Sequence, residues 1–202
     1  MTGPPERLKL PARKAEWAEA LARAGIVLRT GGLIVVPTDT VYGLACDPHK
    51  PDAVERLYEA KGRPRDRALV LLAATISELE RAGCHLSHTA WHLAERHWPG
   101  PLTLVLPAPD SQLAFEGTLG VRIPDQAFLL ELLAAYGPLY VTSANRSGDV
   151  APSTADEADV ESNLVIDAGR TRLGMESTVV DLTGDLPRIL REGAVAIPEG
   201  TP

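Results

Sequence analysis

Leu33-Ile34-Val35-Val36-Pro37-Thr38-Asp39-Thr40-Val41-Tyr42-Gly43-Leu44 is the stretch on which the fold turns. Its first four residues form an unbroken apolar run, short enough for a strand and too short for a helix, so 33–36 reads as a buried strand. Proline then ends the run, and three small polar side chains and a tyrosine follow. Residues 37–48 read as a loop-rich segment. Polar groups placed where a buried strand stops are a common ligand-binding arrangement in open α/β sheets. Their hydroxyls can orient an amino acid or a phosphate, or they can close a turn on the local backbone.

The surrounding chain alternates in the same way. Trp17, Leu21, Ala24 and Leu28 recur at helical spacing, so 12–29 is expected to be an amphipathic helix ended by Gly31-Gly32. Asp52 with Glu55 predicts a capping box for a helix to about Ala60, and Thr75 with Glu78 a second one ending near Gly83. Ser87 caps a helix reaching about His97, and 126–136 is a further helix. Residues 69–73, 102–106, 120–123 and 139–142 read as strands. After a third capping pair, Thr154 with Glu157, strands follow at 164–167, 177–182 and 188–191. The expected fold class is α/β: a single domain over 1–202, with a twisted mixed parallel/antiparallel sheet and flanking helices.

Composition narrows the function. With 45% hydrophobic residues the chain can bury a core without staples, and Cys46 and Cys84 lie too far apart for a C-x-x-C or zinc spacing. Free thiols in a reducing cytosol are the expectation. The first ten residues lack an apolar targeting core, and no apolar run approaches a membrane span, so a cytoplasmic protein with no membrane partner is expected. The net charge of −7 argues against sequence-blind nucleic-acid binding by the whole surface, while leaving room for one basic cleft. No G-x-G-x-x-G follows a strand and no G-x-x-x-x-G-K-[ST] occurs, so any nucleotide is held in another way.

Candidate chemistry lies in seven short segments. Besides 37–44, Lys61-Gly62-Arg63-Pro64-Arg65-Asp66-Arg67 packs four cations into seven residues at a helix end. Arginine forks suit phosphate oxygens, although the same loop can be a solvated end that complements the helix dipole. Trp98-Pro99-Gly100-Pro101 makes a rigid turn into a strand carrying Thr103. Arg122 interrupts the apolar strand of Gly120-Val121-Arg122-Ile123-Pro124 and needs a partner, either a substrate carboxylate or an internal acid. Ser143 and Asn145 follow another apolar strand. Glu176-Ser177 and Arg191, close to Gly193, complete the set. His88 and His92 stand four apart on a helix without a third ligand, which speaks against zinc.

Taken together, PTDTVYGL, KGR, WPGPLTLVL, VRIP, SAN with SG, ESTVVD and LREG resemble the YrdC-like family in order and spacing over residues 25–193. The chain stops soon after LREG and so resembles the family's short form. The resemblance implies a central basic cleft and condensation of L-threonine, bicarbonate and ATP to L-threonylcarbamoyl-AMP, pyrophosphate and water. It implies Mg²⁺ held mainly by the ATP phosphates, and transfer of the product to tRNA-modification partner proteins acting on adenosine 37. By matching positions, Thr40, Arg122 and Ser177 would contact threonine. Lys61, Arg63, Arg67, Thr103, Ser143, Asn145 and Arg191 would hold ATP, with Lys61 and Arg63 catalytic. Arg67 replaces the family's frequent lysine or asparagine, Ala68 a proline, and Leu72 a histidine found in some relatives. The rival readings are a diverged YciO-like paralogue and an RNA-binding module using the same cleft. Aromatics, at 4%, give RNA bases few stacking platforms.

Overall fold

The structure, a computed structural model, describes residues 4–197. In chain order its elements are β1 (Glu6–Lys9), α1 (Ala18–Arg29), β2 (Ile34–Val36), β3 (Gly43–Cys46), α2 (Pro51–Lys61), β4 (Val70–Leu72), α3 (Ile76–Arg81) and α4 (His88–His97). Then come β5 (Leu102–Pro107), β6 (Thr118–Arg122), α5 (Ala127–Tyr136), β7 (Leu139–Ser143), β8 (Leu164–Asp167), β9 (Thr178–Asp181) and β10 (Arg188–Arg191). The strands form one mixed sheet in the order β1-β8-β2-β3-β7-β4-β6-β5-β9-β10.

The apolar run that opened the reading is β2, and it is buried on both faces. Strand alternation sends Val35 into one core, with Leu44, Leu71 and Leu104, and sends Ile34 and Val36 into the other, with Leu28, Phe128 and Ile166. α2, α3 and α4 cover the first face. α1 and α5 cover the second, where Trp17 meets Phe128 edge-on at 5.7 Å. On that second face the two helices pack over β8, β2, β3 and β7. β4 joins that core through Leu72, and β4, β6, β5 and β9 turn Val70, Gly120, Thr103, Val105 and Val179 toward a cavity.

Several expectations are corrected in detail. α1 starts at Ala18 rather than Ala12, because 14–16 makes a separate 3₁₀ turn and Trp17 donates its indole N–H to the Pro11 carbonyl. The segment 37–48 contains β3, paired antiparallel to both β2 and β7. α2 opens on Pro51 at its first turn, with Lys50 making no side-chain cap, so the Asp52–Glu55 box is not used. Proline's fixed φ moved the N-cap two residues earlier, from Asp52 to Lys50. The Thr75–Glu78 box and the Ser87 cap form as expected. β1 was not foreseen: its one apolar residue, Leu8, carries little periodicity, and the strand exists through parallel pairing with β8.

Candidate active site

A cavity of about 440 Å³ opens over the bare half of the sheet, within the usual range for small-molecule sites. Eight of the ten sequence-predicted site residues line it: Thr40, Arg63, Arg67, Thr103, Arg122, Ser143, Ser177 and Arg191. Lys61 and Asn145 are buried behind its wall. Four strands, the end of α2 and four connecting loops are needed to bring these positions together.

Arg122 sits at the end of β6 and is 5% exposed. The sequence left its partner open, and the structure assigns an internal one: Nη2 donates to Asp39 Oδ1 at 2.5 Å, with the Asp39 side chain fully covered. Nη1 donates to Thr40 Oγ1 at 3.0 Å and Nε to the Gly100 carbonyl at 2.9 Å. One guanidinium therefore ties the PTDT loop to the WPGP turn. Burial pushes its pKa below the ordinary value, and the Asp39 carboxylate pulls it back up. Beside it, Thr103 Oγ1 and Ser177 Oγ share a hydrogen bond of 2.8 Å, both buried.

The cations of the KGR loop separate by role. Gly62 ends α2 with φ +56°, a conformation that suits glycine, and the chain turns outward there. Arg63 and Arg67 reach the cavity. Arg65 points back to Glu55 and Glu59 on α2 and lies 5.4 Å over the Tyr58 ring, which is the dipole-complementing alternative realised for one residue. Arg63 Nη2 donates to the Ala68 carbonyl at 2.8 Å, and burial lowers its pKa.

Lys61 is only 3% exposed. Its ammonium donates to the carbonyls of Ser143 (2.6 Å) and Asn145 and contacts Ser143 Oγ at 3.3 Å. Ser147 N–H returns a bond to the Lys61 carbonyl. Lys61 thus fastens the SAN turn to the end of α2. Burial, then repulsion from Arg63, pushes its pKa down to about 8. Asn145 spends its amide hydrogens on the carbonyls of Arg146 and Asp149.

Across the cavity, Arg191 donates Nη1 to Glu176 Oε1 at 2.8 Å, and its Nε and Nη2 to the Ser177 carbonyl. A Cβ on Gly193 would stand 2.4 Å from the Glu176 carbonyl, so only glycine allows LREG to lie against ESTV. Asp39, Glu176 and Thr38 stood in the candidate segments but were given no role by sequence reasoning. Asp39 and Thr38 stood inside a motif already singled out, but nothing local shows that Asp39 meets an arginine 83 residues away.

The chain matches the Sua5/YciO/YrdC family, described as "Telomere recombination", over residues 26–193. It is 38% identical over 185 residues to the threonylcarbamoyl-AMP synthase of Bacillus subtilis, covering 87% of this chain and 54% of that one. It is 39% identical over 196 residues to the Pyrococcus abyssi protein of the same name, covering 93% and 57%. Among solved structures, P. abyssi Sua5 complexed with L-threonine superposes with a TM-score of 0.82 at 36% identity, over 95% of this chain and 58% of that one. The chain thus spans little more than half the length of these curated relatives.

Proposed function

This chain belongs to the Sua5/YciO/YrdC family, and from that premise we propose that it condenses L-threonine, bicarbonate and ATP to L-threonylcarbamoyl-AMP, pyrophosphate and water. One observation carries the reading. A single cavity holds a carboxylate-sized receptor, made of Arg122, Thr40 and Ser177, beside three arginines and a serine suited to phosphates. The L-threonine carried by the solved P. abyssi neighbour supports an amino-acid ligand, which we place at the Arg122 end.

In this reading the threonine carboxylate accepts from Arg122. The threonine amine takes up CO₂ from bicarbonate, and the resulting N-carboxylate attacks the α-phosphorus of ATP, expelling pyrophosphate. No side chain need become covalently attached, so the protein's work is positioning and charge stabilisation. Arg63, Arg67 and Arg191 hold the triphosphate. Lys61 acts through the Ser143–Asn145 turn that it anchors, and Asn145 through the shape of that turn.

Glu176 is the one carboxylate on the cavity wall, and no group of three His, Cys, Asp or Glu side chains suited to a metal gathers among the described residues. Mg²⁺ would be held mainly by the ATP phosphates, and Glu176 is the carboxylate on the cavity wall that could assist. When bound, Mg²⁺ neutralises charge on the leaving pyrophosphate. The product would pass, in the cytoplasm, to partner proteins that modify adenosine 37 of ANN-decoding tRNAs. No helix among the described residues is long and apolar enough to cross a membrane.

The test is pyrophosphate release from ATP with threonine and bicarbonate omitted in turn. Release that needs both is expected. Release indifferent to threonine would overturn the reading.

A further inference from the structure

We infer that Asp39 is a positioning residue for the amino-acid end of the cavity, fixing the Arg122 guanidinium so that two of its N–H groups face the ligand. The inference rests on the threonine reading above. Asp39 is absent from the wall of this cavity and its side chain is fully covered, and it reaches the cavity through its bond to Arg122.

The proton directions can be followed from atom to atom. Thr38 Oγ1 donates to the Val41 carbonyl at 2.7 Å. Its contact with Thr40 Oγ1, at 2.8 Å, is therefore donated by Thr40. Thr40 Oγ1 in turn accepts from Arg122 Nη1. With Nε on Gly100 and Nη2 on Asp39, three of the five guanidinium N–H groups are committed. One N–H remains on each terminal nitrogen, leaving two donors for a ligand carboxylate. The Asp39 segment is itself held, since Leu173 N–H donates to the Asp39 carbonyl and Gly174 N–H to that of Thr40.

Asp39 Oδ2 is buried and has no hydrogen-bond partner among the described residues. A carboxylate kept for stability alone would be expected to satisfy both oxygens. The hydrogen bond that the Asp39 side chain does make is to Arg122, which places it to aim and charge-balance that arginine.

The experiment compares Asp39→Asn, Arg122→Lys and the double variant. For Asp39→Asn the KM for threonine should rise about tenfold or more, the scale seen when groups that orient a ligand-binding residue are removed. The KM for ATP should stay within about twofold, because that interaction is left intact. In the Arg122→Lys background, Asp39→Asn should add less than about twofold, since coupled residues are not additive. Equal and additive increases for both substrates would overturn the inference. Should Asp39→Asn fail to fold, the wild-type protein decides by carboxyl ¹³C NMR. The Asp39 signal should move when threonine is added, and a signal that stays put while threonine binds would overturn it. If the wild-type protein binds no threonine at all, the underlying reading fails instead.

Discussion

The two ends of the cavity are built on opposite plans. At the inner end Arg122, Thr40, Thr103 and Ser177 are buried, and each of these side chains already has at least one protein partner. At the mouth, Arg67 and Arg191 are exposed and Arg63 half-buried, with Arg63 on the Ala68 carbonyl and Arg191 on the Ser177 carbonyl and half-buried Glu176. Burial explains the contrast. A cation removed from water must be matched when the chain folds, whereas one left in water can wait for its ligand. In the proposed reading the inner end is set in advance for a small zwitterion, and the mouth offers exposed positive charge to a triphosphate.

The comparison breaks first at Arg122. Arg122→Met would strand the buried Asp39 carboxylate, a loss expected to cost about 3–5 kcal/mol of folding stability along with threonine-dependent turnover. Denaturant unfolding measures the first and pyrophosphate release the second. A fully stable, active Arg122→Met protein would erase the distinction between the two ends.

Arg63→Ala should separate the ends from the other side. Losing one cation at the developing charge is expected to remove about 2–4 kcal/mol of transition-state stabilisation, seen in kcat/KM for ATP, while the melting temperature hardly moves. Lys61→Ala is different, because it also leaves the Ser143 and Asn145 carbonyls without their donor, so it should lower both activity and stability.

Proton titration sharpens the same point. The Lys61 pKa is pushed to about 8 from 10.5, so between those values the unfolded chain holds a proton the folded one has lost. Over that interval this group's cost to the fold is relieved as pH rises. The ammonium that holds the SAN turn is lost at the same time, so activity should fall through an apparent pKa near 8. A pH–rate profile against a pH–melting profile shows whether the two diverge. The smallest effect belongs to Arg65, which faces α2. Arg65→Ala should change stability by no more than about 0.5–1 kcal/mol and leave both KM values unchanged, as steady-state kinetics would report.

Much of this arrangement was legible in the chain. Apolar runs such as 33–36 and 69–73 announce strands without outside help, and the Thr75–Glu78 box announces its helix, because the forces involved act within a few residues. β1 escaped notice because β8, far along the sequence, supplies its pairing. The site divides similarly. Its polar strand ends could be named, and eight of the ten candidates do meet at one cavity. The burial of Lys61, the turning away of Arg65 and the capture of Arg122 by Asp39 depend on through-space neighbours that no local pattern encodes.

Calorimetric binding of threonine and of ATP to the wild-type, Arg122→Lys and Arg63→Ala proteins bears most directly on a divided cavity. Arg122→Lys should weaken threonine by at least about tenfold and leave ATP nearly untouched, and Arg63→Ala should do the reverse. Equal weakening of both ligands by each substitution would contradict the account.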